Sequence, residues 1–362
     1  MIKFIHTGDL HLGLRFSNVS FDRDKAIERR RELWSTFERI VSYAKDNKVD
    51  FLLIAGDLFE ESYFTIGDIT RVRDTFRTAE NVNIIISAGN HDFKGKKSLY
   101  DRVQWTENVT IFKAEGIEKK EFKSLNTVIY GYSWDTGIIR ENNLFHGLEN
   151  RVDYTKNNIL VIHGDVANTS SYLPLSLEQL NRLNMDYIAL GHIHKPQIIS
   201  DKIAYCGCPE PLDFGEVGDR GIIIGSIDEK RLEFQFLPFS KRKFVEARIT
   251  IDENMGYPDI INKIRNIDIG NKKTDFYRLD LNGYIQKDIS IKDLNKDLRD
   301  DFYHIEVIDN TIWDYDLEQL EEENKDNIIG RFIASMKEKK LDNPIVKDAL
   351  YIGLEVLLKE RD

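Results

Sequence analysis

Only two of the 362 residues are cysteine, Cys206 and Cys208, and a single residue separates them. So close a pair cannot bridge distant parts of a chain, and no disulfide framework is expected. No apolar run approaches the ~20 residues that a membrane-crossing helix needs. The N-terminus also lacks the long apolar segment and small-residue cleavage site of a signal peptide. These absences predict a cytoplasmic protein without membrane association.

An excess of positive charge is missing as well. The 62 Asp and Glu residues outnumber the 51 Lys and Arg residues, and the formal net charge is −11. This balance argues against a protein that coats nucleic acid with a uniformly basic surface. It leaves room for a local basic groove, or for a partner that supplies most of the phosphate contacts. The composition, 41% hydrophobic and 31% charged, is typical of a globular chain.

Short apolar runs alternate with helical patterns over the first two-thirds of the chain. Strands are predicted at residues 2–6, 51–55, 82–87, 127–132, 159–162 and 187–190, with helices at 24–48 and 67–80. This alternation predicts an α/β fold. After residue 203 the pattern changes, and residues 204–205, 221–227 and 232–237 predict consecutive strands that pair antiparallel late in the same domain.

The basic run at residues 240–243 is the candidate domain boundary. We predict a first domain at residues 1–240, a small α+β domain at 241–312 and a C-terminal helical segment at 313–362. The tail from residue 315 to 360 is predicted as two helices that break near 342–344. Apolar residues recur there at helical spacing, which favours self-packing over a docking surface for a partner.

Five short motifs follow apolar strands. They are Asp9-Leu10-His11, Gly56-Asp57-Leu58-Phe59, Gly89-Asn90-His91-Asp92, His163-Gly164 and Gly191-His192-Ile193-His194. Taken singly the first, second and fourth motifs are weak, because ordinary turns and structural histidines produce the same letters. The third is a stronger signal, and the fifth favours a metal-binding pair over an exposed strand end. Taken together they contain five of the eight histidines in the chain. Open α/β sheets bind ligands beyond the carboxyl ends of their strands, so we expect the motifs to meet at one sheet edge.

The side chains in these motifs offer carboxylate, amide and imidazole ligands. The candidate metal ligands are Asp9, His11, Asp57, Asn90, His163, His192 and His194. Seven ligands are too many for one ion but suit two ions that share Asp57. Mixed oxygen and imidazole ligands without thiolate favour Mn²⁺, Fe, Co or Zn over Mg²⁺ or Ca²⁺.

His91 is the candidate catalytic residue, because it is adjacent to the ligand Asn90 and is not itself needed as a ligand. It could stabilise phosphoryl oxygens or protonate a leaving alkoxide. Three histidines stand outside the motifs. His6 lies within the first strand, where it either orients a ligand or belongs to the core. His146 and His304 are expected to be surface or structural residues.

Two ions about 3.5–4 Å apart can activate a shared water and neutralise phosphate oxygens during an in-line displacement. Such a site needs no serine or cysteine nucleophile. The motifs therefore predict hydrolysis of a phosphate ester.

The same motifs, in the same order, resemble those of the calcineurin-like metallophosphoesterases. The chain is more specifically similar to the SbcD-like DNA repair exonucleases, through the sequences at residues 6–13 (HTGDLHLG), 49–59 (VDFLLIAGDLF) and 205–211 (YCGCPEP). The resemblance covers residues 1–240 and extends to the remainder only in outline. It implies a sheet sandwich flanked by helices, a small α+β capping domain and C-terminal helices.

The resemblance also implies roles for the site residues. Asp9, His11, Asp57 and His194 would hold one metal, Asp57, Asn90, His163 and His192 would hold the other, and His91 would be catalytic. Mn²⁺ would be the activator.

The expected function is that of a DNA exonuclease in repair or recombination, and endonuclease capacity is left open. The capping domain would help to select DNA. An SMC-like ATPase of the SbcC type would be the partner, and a homodimer is an open alternative to a monomer.

Two departures from the family pattern qualify these expectations. Some relatives have a histidine that touches DNA where this chain has Glu60. Cys206 and Cys208 replace serine-like or other small residues, which favours tolerance of small side chains over a thiolate metal site. Two further functions stay open: a phosphatase or small-molecule phosphodiesterase on the same site, and a metal-stabilised scaffold for a partner ATPase.

Overall fold

The computed structural model describes residues 1–16, 21–141, 143–166, 171–339, 341 and 343–359. The chain divides into two compact units, Met1–Lys243 and Phe244–Asp362. The three domains predicted from sequence, at residues 1–240, 241–312 and 313–362, remain predictions. Among the helices described, none combines the length and the apolarity that a bilayer crossing requires.

The first unit alternates strands and helices before it ends in a hairpin. Its helices and strands are, in chain order, β1 (Ile2–Thr7), α1 (Arg23–Asp46), β2 (Phe51–Ile54), α2 (Ile66–Arg77), β3 (Asn83–Ile86), β4 (Val109–Ile111), β5 (Glu118–Phe122), β6 (Thr127–Tyr132), β7 (Asn157–His163), α3 (Leu177–Arg182), β8 (Tyr187–Gly191), β9 (Gln197–Ile198), β10 (Ile203–Tyr205), β11 (Gly221–Asp228) and β12 (Arg231–Pro238).

These strands form two six-stranded sheets, in the orders β12-β11-β1-β2-β3-β4 and β5-β6-β7-β8-β10-β9. Alternate side chains of a strand face opposite sides of its sheet. Phe4 of β1 and Leu53 of β2 accordingly join Ile159 and Ala189 of the second sheet in one buried layer. The unit is therefore an α/β sandwich of two sheets with helices outside, as the fold prediction states.

The outer faces of the sheets are covered as well. Asp22 caps helix α1, because its side chain accepts the backbone N–H of Lys25. The helix packs Leu33 and Phe37 toward the first sheet. Helix α2 begins with a reciprocal capping box between Thr65 and Asp68. Both faces of the parallel strands are thus buried, which explains their nearly continuous apolar sequences.

The late strands of the first unit agree only partly with the antiparallel prediction. β11 and β12 form an antiparallel hairpin, and β11 also pairs antiparallel with β1. β10 lies in the other sheet, where it runs parallel to β8, with Ala204 opposite Ala189, and antiparallel to β9. Residues 204–205 therefore do pair antiparallel, but with β9, and the prediction that they form one series with residues 221–227 and 232–237 is wrong.

The second unit is built on a three-stranded parallel sheet. Its elements are β13 (Phe244–Ile251), α4 (Tyr257–Arg265), β14 (Phe276–Ile285), α5 (Ile291–Leu298), β15 (His304–Trp313), α6 (Leu317–Asn324), α7 (Ile328–Lys337) and α8 (Pro344–Lys359). Helices α4 and α5 connect consecutive strands and bury Ile260 and Leu294 against the sheet.

The C-terminal tail corrects a second prediction, since the described residues form three helices and not two. Asn327 starts the additional helix, because its side chain accepts the backbone N–H groups of Ile329 and Gly330. Ile333, Leu350 and Leu354 pack in one cluster, as self-packing predicts. Of the predicted break, Asp342 lies outside the described residues, as does the predicted end at residue 360.

Candidate metal centre

The five motifs converge, but they come from two sheets. β1, β2 and β3 deliver the residues up to 92, whereas β7 and β8 of the other sheet deliver His163, His192 and His194. The expectation of one sheet edge is therefore wrong, and the site lies where the strand ends of both sheets meet. The ring of His163 joins the two sides, since its Nδ1 lies 2.9 Å from the carbonyl oxygen of Ala55 beyond β2.

The first group of donor atoms contains Asp9, His11 and His194. Their ligand atoms all lie within 4.8 Å of one another. The Nε2 atoms of His11 and His194 are 3.1 Å apart. An Asp57 oxygen lies 3.8 Å from His11 Nε2.

The second group surrounds His163. Its Nε2 lies 2.8 Å from the side-chain oxygen of Asn90 and 3.4 Å from the same Asp57 oxygen, Oδ2. The ring of His192 lies beside it, with centroids 5.2 Å apart, and the backbone N–H of His192 donates to Asp9. The structure thus brings all seven predicted ligands together, with Asp57 between the two groups.

The hydrogen bonds of His163 indicate that its group fits a metal ion. A carbonyl oxygen only accepts hydrogen bonds, so His163 Nδ1 carries the proton that it donates to Ala55. In the neutral ring Nε2 is then an unprotonated acceptor that faces the carbonyl oxygen of Asn90. A cation between these two electron-rich atoms would satisfy both, and an imidazole–oxygen set suits a divalent transition metal.

Left-handed backbone occurs at four of the site residues. The φ angles are 50° at Asp9, 46° at His11, 50° at Asp57 and 100° at His192. Such conformations are uncommon without glycine and carry about 1–3 kcal/mol of strain each. The surrounding hydrogen bonds hold them: the backbone N–H groups of Asp9 and His11 donate to the carbonyls of Gly56 and Asp57.

Gly56 is required by space as well as by conformation. Its φ is +89°, and a Cβ at this position would lie 2.2 Å from Nδ1 of His163. Only glycine lets the β2 loop approach the imidazole so closely.

His91 lies at the edge of the cluster, with its side chain 44% exposed. Its Nδ1 lies 3.0 Å from Glu60 Oε2, while Glu60 Oε1 lies 2.6 Å from His11 Nδ1. Hydrogen bonding to Glu60, more than any other influence, raises the pKa of His91 to about 9. Burial raises the pKa of Glu60, but hydrogen bonds from both imidazoles outweigh it and lower the pKa to about 2. At neutral pH these groups form an imidazolium–carboxylate pair.

The structure leaves a second role for His91 open. Its ring lies within 4.8 Å of ligand atoms of His11 and Asp57, so the three could hold an ion together. His91 is therefore placed either to meet the substrate or to complete the metal site.

Asp92 fixes the two loops that carry Asp57 and Asn90. Its buried carboxylate accepts the backbone N–H groups of Asp57, Leu58 and Gly89 and the hydroxyl of Tyr100. Burial, followed by the nearby charge of Asp57, raises its pKa to about 6.

Glu216 holds the other imidazole of the first group. His194 Nδ1 donates to Glu216 at 2.5 Å. Burial lowers the pKa of His194, but this hydrogen bond and the nearby carboxylates outweigh burial and raise it to about 9. His192 behaves in the opposite way, because burial lowers its pKa to about 4.

Three contributors had no assigned role in the sequence analysis: Glu60, Asp92 and Glu216. Asp92 stands inside a quoted motif, and Glu60 directly follows another, so their positions were a usable signal. Glu216 comes 22 residues after its partner His194, and no local pattern marks it. Of the histidines outside the motifs, His6 is buried and pairs with the Tyr187 hydroxyl at 2.8 Å, which places it in the core.

Comparison with known proteins relates the site to a family. The model of the calcineurin-like phosphoesterase family matches residues 2–196. An uncharacterized metallophosphoesterase of Bacillus subtilis, YhaO, is 28% identical over 247 residues, which cover 65% of this chain and 60% of that protein. The DNA double-strand break repair protein Mre11 of Methanopyrus kandleri is 25% identical over 279 residues, which cover 68% of this chain and 56% of that protein. The chain thus spans less than two-thirds of these curated relatives.

Two solved structures are also similar. A protein of Thermus thermophilus superposes with a TM-score of 0.40 at 10% identity, over 65% of this chain and 98% of its own. A dimetal phosphatase from Danio rerio gives a TM-score of 0.41 at 10% identity, over 65% of this chain and 95% of its own.

Proposed function

The chain belongs to the calcineurin-like phosphoesterase family, and we propose that it is a Mn²⁺-dependent nuclease that hydrolyses the phosphodiester bonds of DNA. The observation that carries this proposal is the pair of donor groups on either side of Asp57 Oδ2, beside the partly exposed His91. When bound, two divalent ions supply an activated water and neutralise phosphate charge.

The residues of the site have separate roles in metal binding and in proton transfer. Asp9, His11 and His194 would hold one ion, Asn90, His163 and His192 the other, and Asp57 both. Glu60 keeps His91 protonated through Nδ1, which leaves Nε2–H to give its proton to the leaving alkoxide. The imidazolium charge also stabilises phosphoryl oxygens as negative charge develops on them.

DNA as the substrate is supported by the similarity to the Mre11 repair protein and by the SbcD-like motifs. On the same basis we propose an SMC-like ATPase of the SbcC type as the partner, and Mn²⁺ as the activator. The second unit would help to select DNA.

The test is an assay of the purified chain on end-labelled duplex DNA with Mn²⁺, with and without the ATPase. We expect cleavage that requires Mn²⁺, stops with EDTA and is lost in His91→Ala. A His146→Ala variant is the matched control, because His146 is exposed and outside the cluster. DNA that stays intact with the ATPase present, while bis-p-nitrophenyl phosphate is hydrolysed, would refute the nuclease and keep the phosphoesterase.

A phosphatase or small-molecule phosphodiesterase is the second candidate. Glu60 favours it, since a buried carboxylate bound to two imidazoles cannot make the DNA contact that a histidine makes in some relatives. Fast hydrolysis of a cyclic nucleotide or a phosphoprotein, with DNA untouched, would select this function.

A further inference from the structure

Two glutamates lie behind the imidazoles of one donor group only. Glu60 accepts the Nδ1–H of His11 at 2.6 Å, and Glu216 accepts the Nδ1–H of His194 at 2.5 Å. Both carboxylates are largely buried, with side chains 12% and 14% exposed. A carboxylate in this position fixes the imidazole tautomer and makes the opposite nitrogen a stronger ligand.

The other donor group lacks this support among its described contacts. His163 donates its Nδ1–H to a neutral backbone carbonyl, that of Ala55, at 2.9 Å. Asn90 contributes a neutral amide oxygen. The carboxylates within reach of His163 are Asp57 and Asp9, and the first group shares both of them. The charge of Asp165 opposes the fall in the pKa of His192 that burial causes. Asp165 lies in the loop after β7 and is only partly buried.

Charge therefore concentrates on one side of the cluster. Glu60 and Glu216 lie beside the His11–His194 pair, whereas Asp9 and Asp57 each lie within reach of both groups. Attraction between a cation and buried carboxylates is strong because little water screens it.

We propose that the two metal positions fill in a fixed order, and that the position held by Asp9, His11 and His194 binds first and more tightly. Glu60 and Glu216 are the positioning residues that cause the difference. This inference rests on the two-metal function proposed above. The weaker position, at Asn90, His163 and His192, fills only when metal is abundant and so controls whether the complete pair is present.

Cys208 has a place in this arrangement. Its thiol lies 3.1 Å from Glu216 Oε2, and the backbone N–H of Leu212 donates to the same oxygen at 2.8 Å. Glu216 Oε2 thus faces two donors, while its other oxygen faces His194. Cys208 positions Glu216 through this hydrogen bond, and its Sγ also lies within 4.8 Å of ligand atoms of His194 and Glu216.

The test is a calorimetric titration of the metal-free protein with Mn²⁺, which reads binding without any substrate. We expect two steps whose dissociation constants differ by about 10–100-fold. Glu216→Gln and Glu60→Gln should weaken the tight step by about 10–100-fold and leave the weak step unchanged. His192→Ala should remove the weak step alone. Glu233→Gln, an exposed glutamate on β12, is the matched control and should change neither step.

Cysteine variants provide an independent check that does not touch the glutamate. Cys208→Ser keeps a donor for Glu216 and should preserve the tight step, whereas Cys208→Val should weaken it. Circular dichroism of each metal-free variant shows whether it is folded, and only folded variants are compared.

Two steps with equal dissociation constants in the wild-type protein would overturn the proposal. Glutamine variants that weaken the weak step instead of the tight step would also overturn it. The outcome is separate from the proposed function. Ordered binding without DNA cleavage would refute only the nuclease, and DNA cleavage with equal steps would refute only the filling order.

Discussion

The Nε2 atoms of His11 and His194 lie 3.1 Å apart, although each ring donates its other N–H to a buried glutamate. Two imidazole nitrogens this close repel each other unless a proton or a cation lies between them. Burial lowers the pKa of His194, but the hydrogen bond to Glu216 and the nearby carboxylates outweigh burial and raise it to about 9, which favours a proton on this ring at neutral pH. A divalent ion would displace that proton, so metal binding should release protons and weaken as pH falls.

Removal of the His91 imidazole should separate catalysis from metal binding. Glu60 holds the His91 ring through Nδ1, and the His91 side chain is 44% exposed. We therefore expect His91 to contact the substrate. His91→Ala should lower the rate of phosphodiester hydrolysis by about 10²–10⁴-fold, the usual contribution of a general acid. Metal content measured by atomic emission should stay at two ions per chain. Loss of an ion would instead make His91 a ligand, in line with its closeness to His11 and Asp57.

Gly56→Ala should destroy the site without a change of charge. Its added Cβ would lie 2.2 Å from His163 Nδ1, at a φ of +89°. We expect loss of metal binding in calorimetry. Gly67→Ala is the matched control, because a Cβ there would make an ordinary contact at 3.5 Å near the start of α2. A Gly56→Ala protein that binds metal normally would contradict the geometry described.

The pair of Glu60 and His91 should make the stability of the metal-free protein depend on pH. The pKa of His91 rises from 6.5 to about 9 on folding, so its contribution is fully present below pH 6.5 and is lost as pH rises through 9. The pKa of Glu60 falls from 4.5 to about 2, so its contribution is present above pH 4.5 and is lost as pH falls through 2.

Glu60→Gln should therefore lower the Tm most between pH 4.5 and 6.5, and least above pH 9. Scanning calorimetry in EDTA measures the effect, with Glu233→Gln as the exposed control. An equal loss of Tm between pH 4.5 and 6.5 and above pH 9 would show that Glu60 acts by packing and not by charge.

A buried ion network should dominate the electrostatic stability of the first unit. The guanidinium of Arg29 is fully buried and contacts Glu32, Glu210 and the carbonyl oxygen of Pro211. Arg29→Met would leave buried carboxylates short of a partner, so we expect the free energy of unfolding to fall by about 3–5 kcal/mol. Urea denaturation measures it.

The control for that variant is Arg182→Ala, which removes an exposed i,i+4 pair with Glu178. Its loss should be about 0.3–0.5 kcal/mol, because water screens the charges. Similar losses in the two variants would contradict the role given to burial.

The sequence was sufficient to bring the right residues together. Parallel strands such as β1, β2 and β3 end at the same edge, so polar residues that follow them must be neighbours. It was not sufficient to assign strands to sheets. Leu53 and Ile159 are equally buried and apolar, and nothing local says that they face each other across two sheets.

The carboxylate that holds a ligand imidazole, and the additional helix of the tail, could not be predicted from the sequence for a related reason. The contact of Glu216 with His194 spans 22 positions and depends on the path of the loop after β10. The extra helix in the tail depends on one capping side chain, Asn327, inside an otherwise continuous helical pattern. Tertiary contacts and single caps leave no periodic signal, so sequence periodicity does not reveal them.

Anomalous diffraction from crystals soaked in Mn²⁺ would test the metal centre most directly. We predict two peaks about 3.5–4 Å apart, both within bonding distance of the Asp57 carboxylate. His11 and His194 should flank one peak, and Asn90 and His163 the other. A single peak, or a peak pair away from Asp57, would contradict the account.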